Sequence, residues 1–311
     1  IPYSKFRDKE GLKSRLIGLV LRKNNRERER IVLSAEETAR ENNYGLVVRY
    51  ADTEEDIKHN AEELIRQKVS GLLIDSQKWI PTNQLERTTV YLNHTKNFDE
   101  RQKVTFYYRL SEAGRLAAEQ LMEEGHEKIA CITMEGEKTI QDGYKMAMRD
   151  ADLAIQPLWL YEGSSIRDIE QFGIRQCMSE NVTAVICGTP EIACCFCKVM
   201  ERSHIVIPNV VSVVVIGDNN LAEIIGDGLT AISLPAECMS RNAVEYLTEA
   251  IQSERQIEVM RKFPPTVVKR HSISSPTHER QGEKIIVVGS MNMDITIEVS
   301  LSLIHISEPT R

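Results

Sequence analysis

The residues whose types and spacing could do chemistry in this chain are a few polar side chains standing where apolar runs end. Asn292 and Asp294 are two apart, just behind the run Lys284-Ile285-Ile286-Val287-Val288-Gly289. In an extended segment both point to one face, where an amide and a carboxylate can grip adjacent hydroxyls; the other reading is an Asn/Asp turn after a strand. Asp218 follows the run from Val211 to Ile216 and is either a hydroxyl acceptor or a cap for the next segment. Arg109 closes another run and suits either an anionic ligand or a plain surface position, and Arg22-Lys23-Asn24-Asn25-Arg26 carries the same two readings after the first run. Cys194-Cys195-Phe196-Cys197 suggests a metal, but structural zinc needs two paired ligand sets and no second set lies nearby, so a buried helix is the better reading. Ser, His and Asp occur without a nucleophile elbow, and Gly217-Asp218 and Gly226-Asp227-Gly228 lack the phosphate-loop pattern, so no catalytic residue and no metal is expected.

Such groups need a scaffold. The 311 residues are 41% hydrophobic and 27% charged, a composition of folded proteins large enough for about two domains or one two-lobed domain. No apolar run reaches the roughly 18 residues of a membrane helix, and the start is no signal peptide. Seven cysteines, several inside apolar stretches such as those of Cys131 and Cys187, read as buried thiols, and the expected location is cytoplasmic, away from any membrane. A net charge of -7 argues against a nucleic-acid coat, so any DNA contact is local. The first fifteen residues hold Lys5, Arg7, Lys9, Lys13 and Arg15 against Asp8 and Glu10, a basic end or an ordinary solvated terminus.

Apolar periodicity supplies the elements. A buried strand at Leu16 to Leu21 precedes a helical pattern from Arg28 to Asn43. Strands at Gly45 to Tyr50 and Gly71 to Ile74 then flank a helix with an acidic first turn. Strand and helix alternate onward through Thr89–Leu92, Lys103–Tyr108, Ser111–Glu124, Lys128–Met134, Thr139–Ala151 and their successors to Lys269. This alternation predicts an α/β fold of parallel sheets, and so many strands fit two doubly wound lobes better than one sheet, with ligands at the carboxyl ends of strands in the cleft between them. His271 to Gly282 is polar and aperiodic and reads as a linker, after which 284–300 holds two fresh strand patterns.

Taken in order, Ile17-Gly18-Leu19-Val20, Tyr44-Gly45-Leu46-Val47-Val48, Val69-Ser70-Gly71-Leu72-Leu73-Ile74, Ala113-Gly114-Arg115-Leu116-Ala117-Ala118, Gly125-His126-Glu127-Lys128-Ile129-Ala130 and Gly143-Tyr144 resemble the effector-binding domain of LacI/GalR-type transcriptional repressors, similar to periplasmic sugar-binding proteins. The resemblance implies a two-lobed periplasmic-binding-protein-like fold over 15–270, with one lobe from about 15–136 and 234–255 and the other from about 137–233 and 256–270. It also implies a clamp that closes on a sugar or sugar phosphate without a cofactor, a homodimer, and a hinge in 1–14 leading to a DNA-binding head that this chain lacks. Its pocket residues transfer poorly: the family's Asn-Asp is Thr189-Pro190 here, its Asp-Asn is Arg109-Leu110, and Asp218 survives. Asp218, Arg109 and Thr189 are therefore the expected effector contacts.

Ile286-Val287-Val288-Gly289-Ser290-Met291-Asn292-Met293-Asp294 resembles the opening of ribokinase-type sugar kinases of the PfkB family. This implies that Asn292 and Asp294 bind sugar in a parent enzyme that uses ATP and Mg, with 271–283 as linker and the catalytic part missing from 284–300. Residues 301–311, from Leu301 to Arg311, resemble the translation of a sequencing adapter. The expectation is a regulator's sensor fused to a severed kinase; the alternative is a parent whose activity is ATP-dependent phosphorylation of ribose.

Overall fold

The molecule, a computed structural model, is described at residues 14–178, 181–253 and 258–276 and in two further strands, 284–287 and 295–298. The hinge expected at 1–14 lies outside these residues except for Ser14, as do Asn292, Asp294 and the whole of 301–311.

Two sheets organise the chain. The first takes β1 (Leu16–Arg22), β2 (Gly45–Ala51), β3 (Gly71–Asp75), β4 (Thr89–Asn93), β5 (Val104–Tyr107) and, from far along the chain, β11 (Val259–Lys262), in the order β11-β5-β4-β3-β1-β2. All its pairings are parallel. Strands buried on both faces must be apolar at every position, and β1 is so up to its last residue, Arg22. Ile17, Leu19 and Leu21 pack under α1 (Arg28–Glu41) and α9 (Ala236–Ser253), while Val20 meets Ile57, Ala61 and Leu64 of α2 (Glu54–Arg66) on the opposite face. A capping box starts α2, with the Thr53 side chain accepting from the Asp56 amide.

The second sheet is β12-β10-β9-β8-β6-β7, made of β6 (Ile129–Met134), β7 (Leu160–Gly163), β8 (Ala184–Cys187), β9 (Ser212–Ile216), β10 (Thr230–Ser233) and β12 (Thr266–Val268). Only β12, at the edge, runs antiparallel among these described strands. One face carries α3 (Leu110–Glu123) and α4 (Lys138–Asp150), and the other carries α5 (Ile166–Asp168), α6 (Ile174–Cys177), α7 (Pro190–Arg202) and the short α8 (Asn220–Ile224). Helices α3 and α4 touch backbone to backbone: a Cβ on Gly143 would stand 1.8 Å from the Ser111 carbonyl oxygen, and one on Gly114 2.1 Å from that of Ile140. Only hydrogen fits at either position, which gives the Gly114 and Gly143 motifs a packing role.

The lobe limits differ from the expected ones. The first crossover falls at 108–109, so α3 and β6 belong to the second lobe, not the first. The expected transfer at 255–256 is also displaced, because β11 pairs with β5 in the first sheet. Periodicity distinguishes helix from strand but carries no information about which sheet a strand joins. The return crossovers lie at 234–235 and 263–265. The first part of the linker expected over 271–283 is docked: the Ser272 hydroxyl donates to Val213 O and the Ser274 hydroxyl to Pro208 O, so 271–276 lies on the second lobe. Farther on, β13 (Lys284–Val287) and β14 (Ile295–Glu298) form an antiparallel pair. No helix among the described residues is long and apolar enough to cross a membrane.

Candidate functional site in the interlobe cleft

The carboxyl ends of both sheets face each other across the crossovers, and the turns at those ends supply the polar groups. On the first lobe, Asp75 ends β3 and is buried; its Oδ2 accepts from Asn25 Nδ2 at 2.8 Å and from the Arg22 amide at 3.2 Å. Asn25 Oδ1 in turn accepts from the Glu27 amide at 2.9 Å, which shapes the β1–α1 turn. Beside it Ser76 Oγ donates to Glu54 at 2.9 Å, Gln102 Nε2 donates to Ser76 O at 2.9 Å, and Asn93 Nδ2 donates to Gln102 Oε1 at 3.1 Å. This row of hydrogen-bonded amides and carboxylates sits at the edge that a parallel sheet turns toward its ligand.

Arg26 leaves the same turn and crosses to the second lobe. Its guanidinium lies 3.1 Å from Glu137 Oε1 and donates to Gly188 O at 2.5 Å and to Ile216 O at 2.6 Å. Those acceptors stand at the carboxyl ends of β6, β8 and β9, neighbours in the sheet. Arg30, one helical turn on, donates to Asp218 O at 3.2 Å and pairs with Glu237 at 3.1 Å. Burial pushes the Glu137 carboxyl above its ordinary value, with Arg26 opposing, and does the same to Glu27, where Arg26 and Arg30 oppose. His94 is pushed the other way by burial, against the pull of Asp75 and with the help of Arg22 and Arg26, which favours the neutral ring.

The expected contacts take other duties. Asp218 Oδ1 pairs with Arg270 Nη2 at 2.7 Å, and the cap of the following helix is Asn219, which accepts from the Ala222 amide. Thr189 caps α7, its hydroxyl accepting from the Ile192 amide at 3.2 Å. Arg109 lies at the first crossover with Nη1 3.5 Å from Glu112 Oε1, which Lys262 also reaches, and its buried Nε has no acceptor among the described residues. The turns containing Thr189 and Asp218 do line the cleft, but the neighbouring carbonyls of Gly188 and Ile216 meet the opposite lobe. Arg26, Glu27, Asp75 and Glu137 carry no individual signature of a contact in the sequence. The one signal was that the Arg22–Arg26 tract follows a strand's carboxyl end. Among the described residues no group of three or more His, Cys, Asp and Glu could hold a metal.

The model of the periplasmic binding protein-like domain matches residues 118–273. The chain belongs to this family. In its sequence the periplasmic binding protein-like chain is similar to the HTH-type transcriptional repressor PurR of Aliivibrio fischeri, 28% identical over 251 residues that cover 74% of this chain and 73% of the relative. It is similar to PurR of Vibrio campbellii at 28% identity, over 52% of this chain and 50% of the relative, so that match spans half of the curated protein. The ribose operon repressor of Haemophilus influenzae is 26% identical over 79% of this chain and 76% of its own. In fold it resembles the Escherichia coli transcriptional repressor ascG (TM-score 0.74, 15% identity, 83% of this chain and 99% of that one). It also resembles the dimeric Lac repressor (TM-score 0.71, 20% identity, 84% and 100%).

Proposed function

We propose that this chain is the effector-binding domain of a LacI/GalR-type transcriptional regulator that senses a small polyhydroxylated metabolite, a sugar or sugar phosphate, between its lobes. The observation that carries this reading is the polar row from Asn25 and Asp75 to Glu137 at the facing carboxyl ends of two parallel sheets. Asp218 stands at the rim of that row. A ligand that prefers the closed lobes shifts the population toward them, and in a homodimer such a shift is what a DNA-binding head would read. Binding of this kind uses no cofactor.

Thermal denaturation against pentoses, hexoses and their phosphates tests the reading. A true effector stabilises by RT ln(1 + [L]/Kd), about 4 kcal/mol at ~1,000 Kd. Absence of a shift with every member overturns the sugar class. Asp218→Ala should lower stability by about 1–3 kcal/mol, because Arg270 keeps its bond to Leu229 O but loses its carboxylate. Loss of the ligand shift in that variant would make Asp218 an effector contact as well.

The paired strands β13 and β14 flank Asn292 and Asp294 and support a second reading, in which 284–300 opens a ribokinase-like domain in a longer parent. On that reading Asn292 and Asp294 hold sugar, ATP and Mg act on residues beyond this segment, and 301–311 is adapter-derived. Purified chain should show no ATP-dependent phosphorylation of ribose, and measurable turnover would move the activity onto these residues.

A further inference from the structure

The wall that the second lobe presents to the cleft consists of acceptors. Gly188 O and Ile216 O end adjacent parallel strands, and the Glu137 carboxylate rises from the turn after the next strand in the sheet. Glu27 stands on the facing turn, 6% exposed, with its nearest cation, Arg30, at 3.5 Å. A guanidinium suits such a wall, since its planar fork of N–H groups can serve several oxygens at once, whereas a carboxylate or phosphate meets only like-charged or electron-rich atoms there. The group now in place is the chain's own Arg26, whose side chain is 14% exposed and engages all three acceptors from the opposite lobe.

We propose that Arg26 is a tethered ligand of a cation-selective cradle formed by Glu137, Gly188 O and Ile216 O, which latches the lobes and gives up these three acceptors only to a guanidino, amidino or amino group, such as that of an amino sugar that then bridges the lobes in its place. Tethering makes the bond between lobes intramolecular, so the latch holds at any protein concentration and a free competitor must overcome a high effective concentration. The buried carboxylates favour the same class: Glu27 and Glu137 are both poorly solvated anions, and a bound cation relieves them. The proposal rests on the cleft being the effector site, and it adds the charge and donor pattern of the group facing the second lobe. A neutral sugar can occupy the Asn25 and Asp75 side without meeting this cradle, so the two proposals fail separately.

Removal and chemical rescue test the latch. Arg26→Ala in the full chain should enlarge the radius of gyration in X-ray scattering and lower Tm. Millimolar ethylguanidinium, the missing end of the side chain, should reverse both changes, whereas ethylammonium should do so less well and acetate not at all. Wild type, its cradle already filled, should respond little to the same probe. In Arg26→Ala/Glu137→Gln the apparent affinity for ethylguanidinium should fall about tenfold. If Arg26→Ala proves too unstable to purify, Arg26→Lys keeps the charge but loses the fork, and partial opening with partial rescue is expected. Unchanged scattering and Tm in the single variant, or equal stabilisation of wild type and variant by ethylguanidinium, would overturn the proposal. A sugar panel run on both proteins separates the readings: sugar binding without rescue removes the latch, and rescue without sugar binding removes the sugar class.

Discussion

At Arg26 one side chain joins two lobes, and its partners pair charge with burial in a way that fixes a pH dependence. Glu27 and Glu137 are raised above their ordinary 4.5 chiefly by burial. A carboxyl raised in the folded state binds its proton more tightly there, so its contribution to stability is complete below pH 4.5 and is lost as pH rises through the raised value. Urea midpoints of wild type should therefore gain from these two groups on going from neutral pH toward 4.5. Glu137→Gln should flatten that gain, and a profile identical to wild type would show that the carboxyl does not titrate in this window. Exposed Asp56 and half-buried Asp168 shift downward, mainly through hydrogen bonds, and act oppositely, losing their contribution as pH falls below their ordinary 3.8. Little of this was legible in the sequence. Arg26 sits in a tract of charges that reads equally as a solvated loop, and Glu137 has the look of any polar residue before a helix. The oxygens that give Arg26 its role belong to residues 188 and 216, and backbone carbonyls have no sequence signature.

Among the elements, the contact between α3 and α4 decides the packing of the second lobe. Gly143→Ala would place a methyl group 1.8 Å from Ser111 O, on backbone that belongs to the facing helix. The helices must separate, and a loss of about 3 kcal/mol in equilibrium unfolding is expected; a change within experimental error would mean that the helices yield freely. Here the sequence was informative in part: the helix and strand periods place most elements to within a residue or two, while the Gly114 and Gly143-Tyr144 motifs carry the family resemblance and show their packing role only in the fold. Tyr144 completes the contact by donating its hydroxyl to Ile129 O at 2.7 Å from a fully buried ring. The strand Val259–Lys262 leaves no trace in the periodicity because its residues are mostly exposed at a sheet edge and show no apolar run.

For the whole molecule, three crossovers join two lobes while the tail past β12 binds one of them. His126 anchors that tail: Nε2 donates to Ser274 O at 2.8 Å and lies 2.9 Å from Ser212 Oγ, and Nδ1 is 2.9 Å from Thr183 Oγ1. His126→Ala should remove these three contacts, leaving Ser212 Oγ and Ser274 bonded to each other, and lower stability by about 1 kcal/mol. It should also speed proteolysis near Pro276, and an unchanged cleavage rate would place the anchor elsewhere. Sequence alone determined that the chain is α/β, that it forms two lobes of parallel sheet, and that its motifs follow one family's order, because apolar periodicity and short motifs are local patterns written residue by residue. Tertiary structure alone decided where each lobe begins, that β11 returns to the first sheet, and that Arg26 spans the cleft to Glu137. Each of these depends on groups up to 190 residues apart, as from Arg26 to Ile216, whose attraction exists only once the two sheets turn their carboxyl ends toward each other.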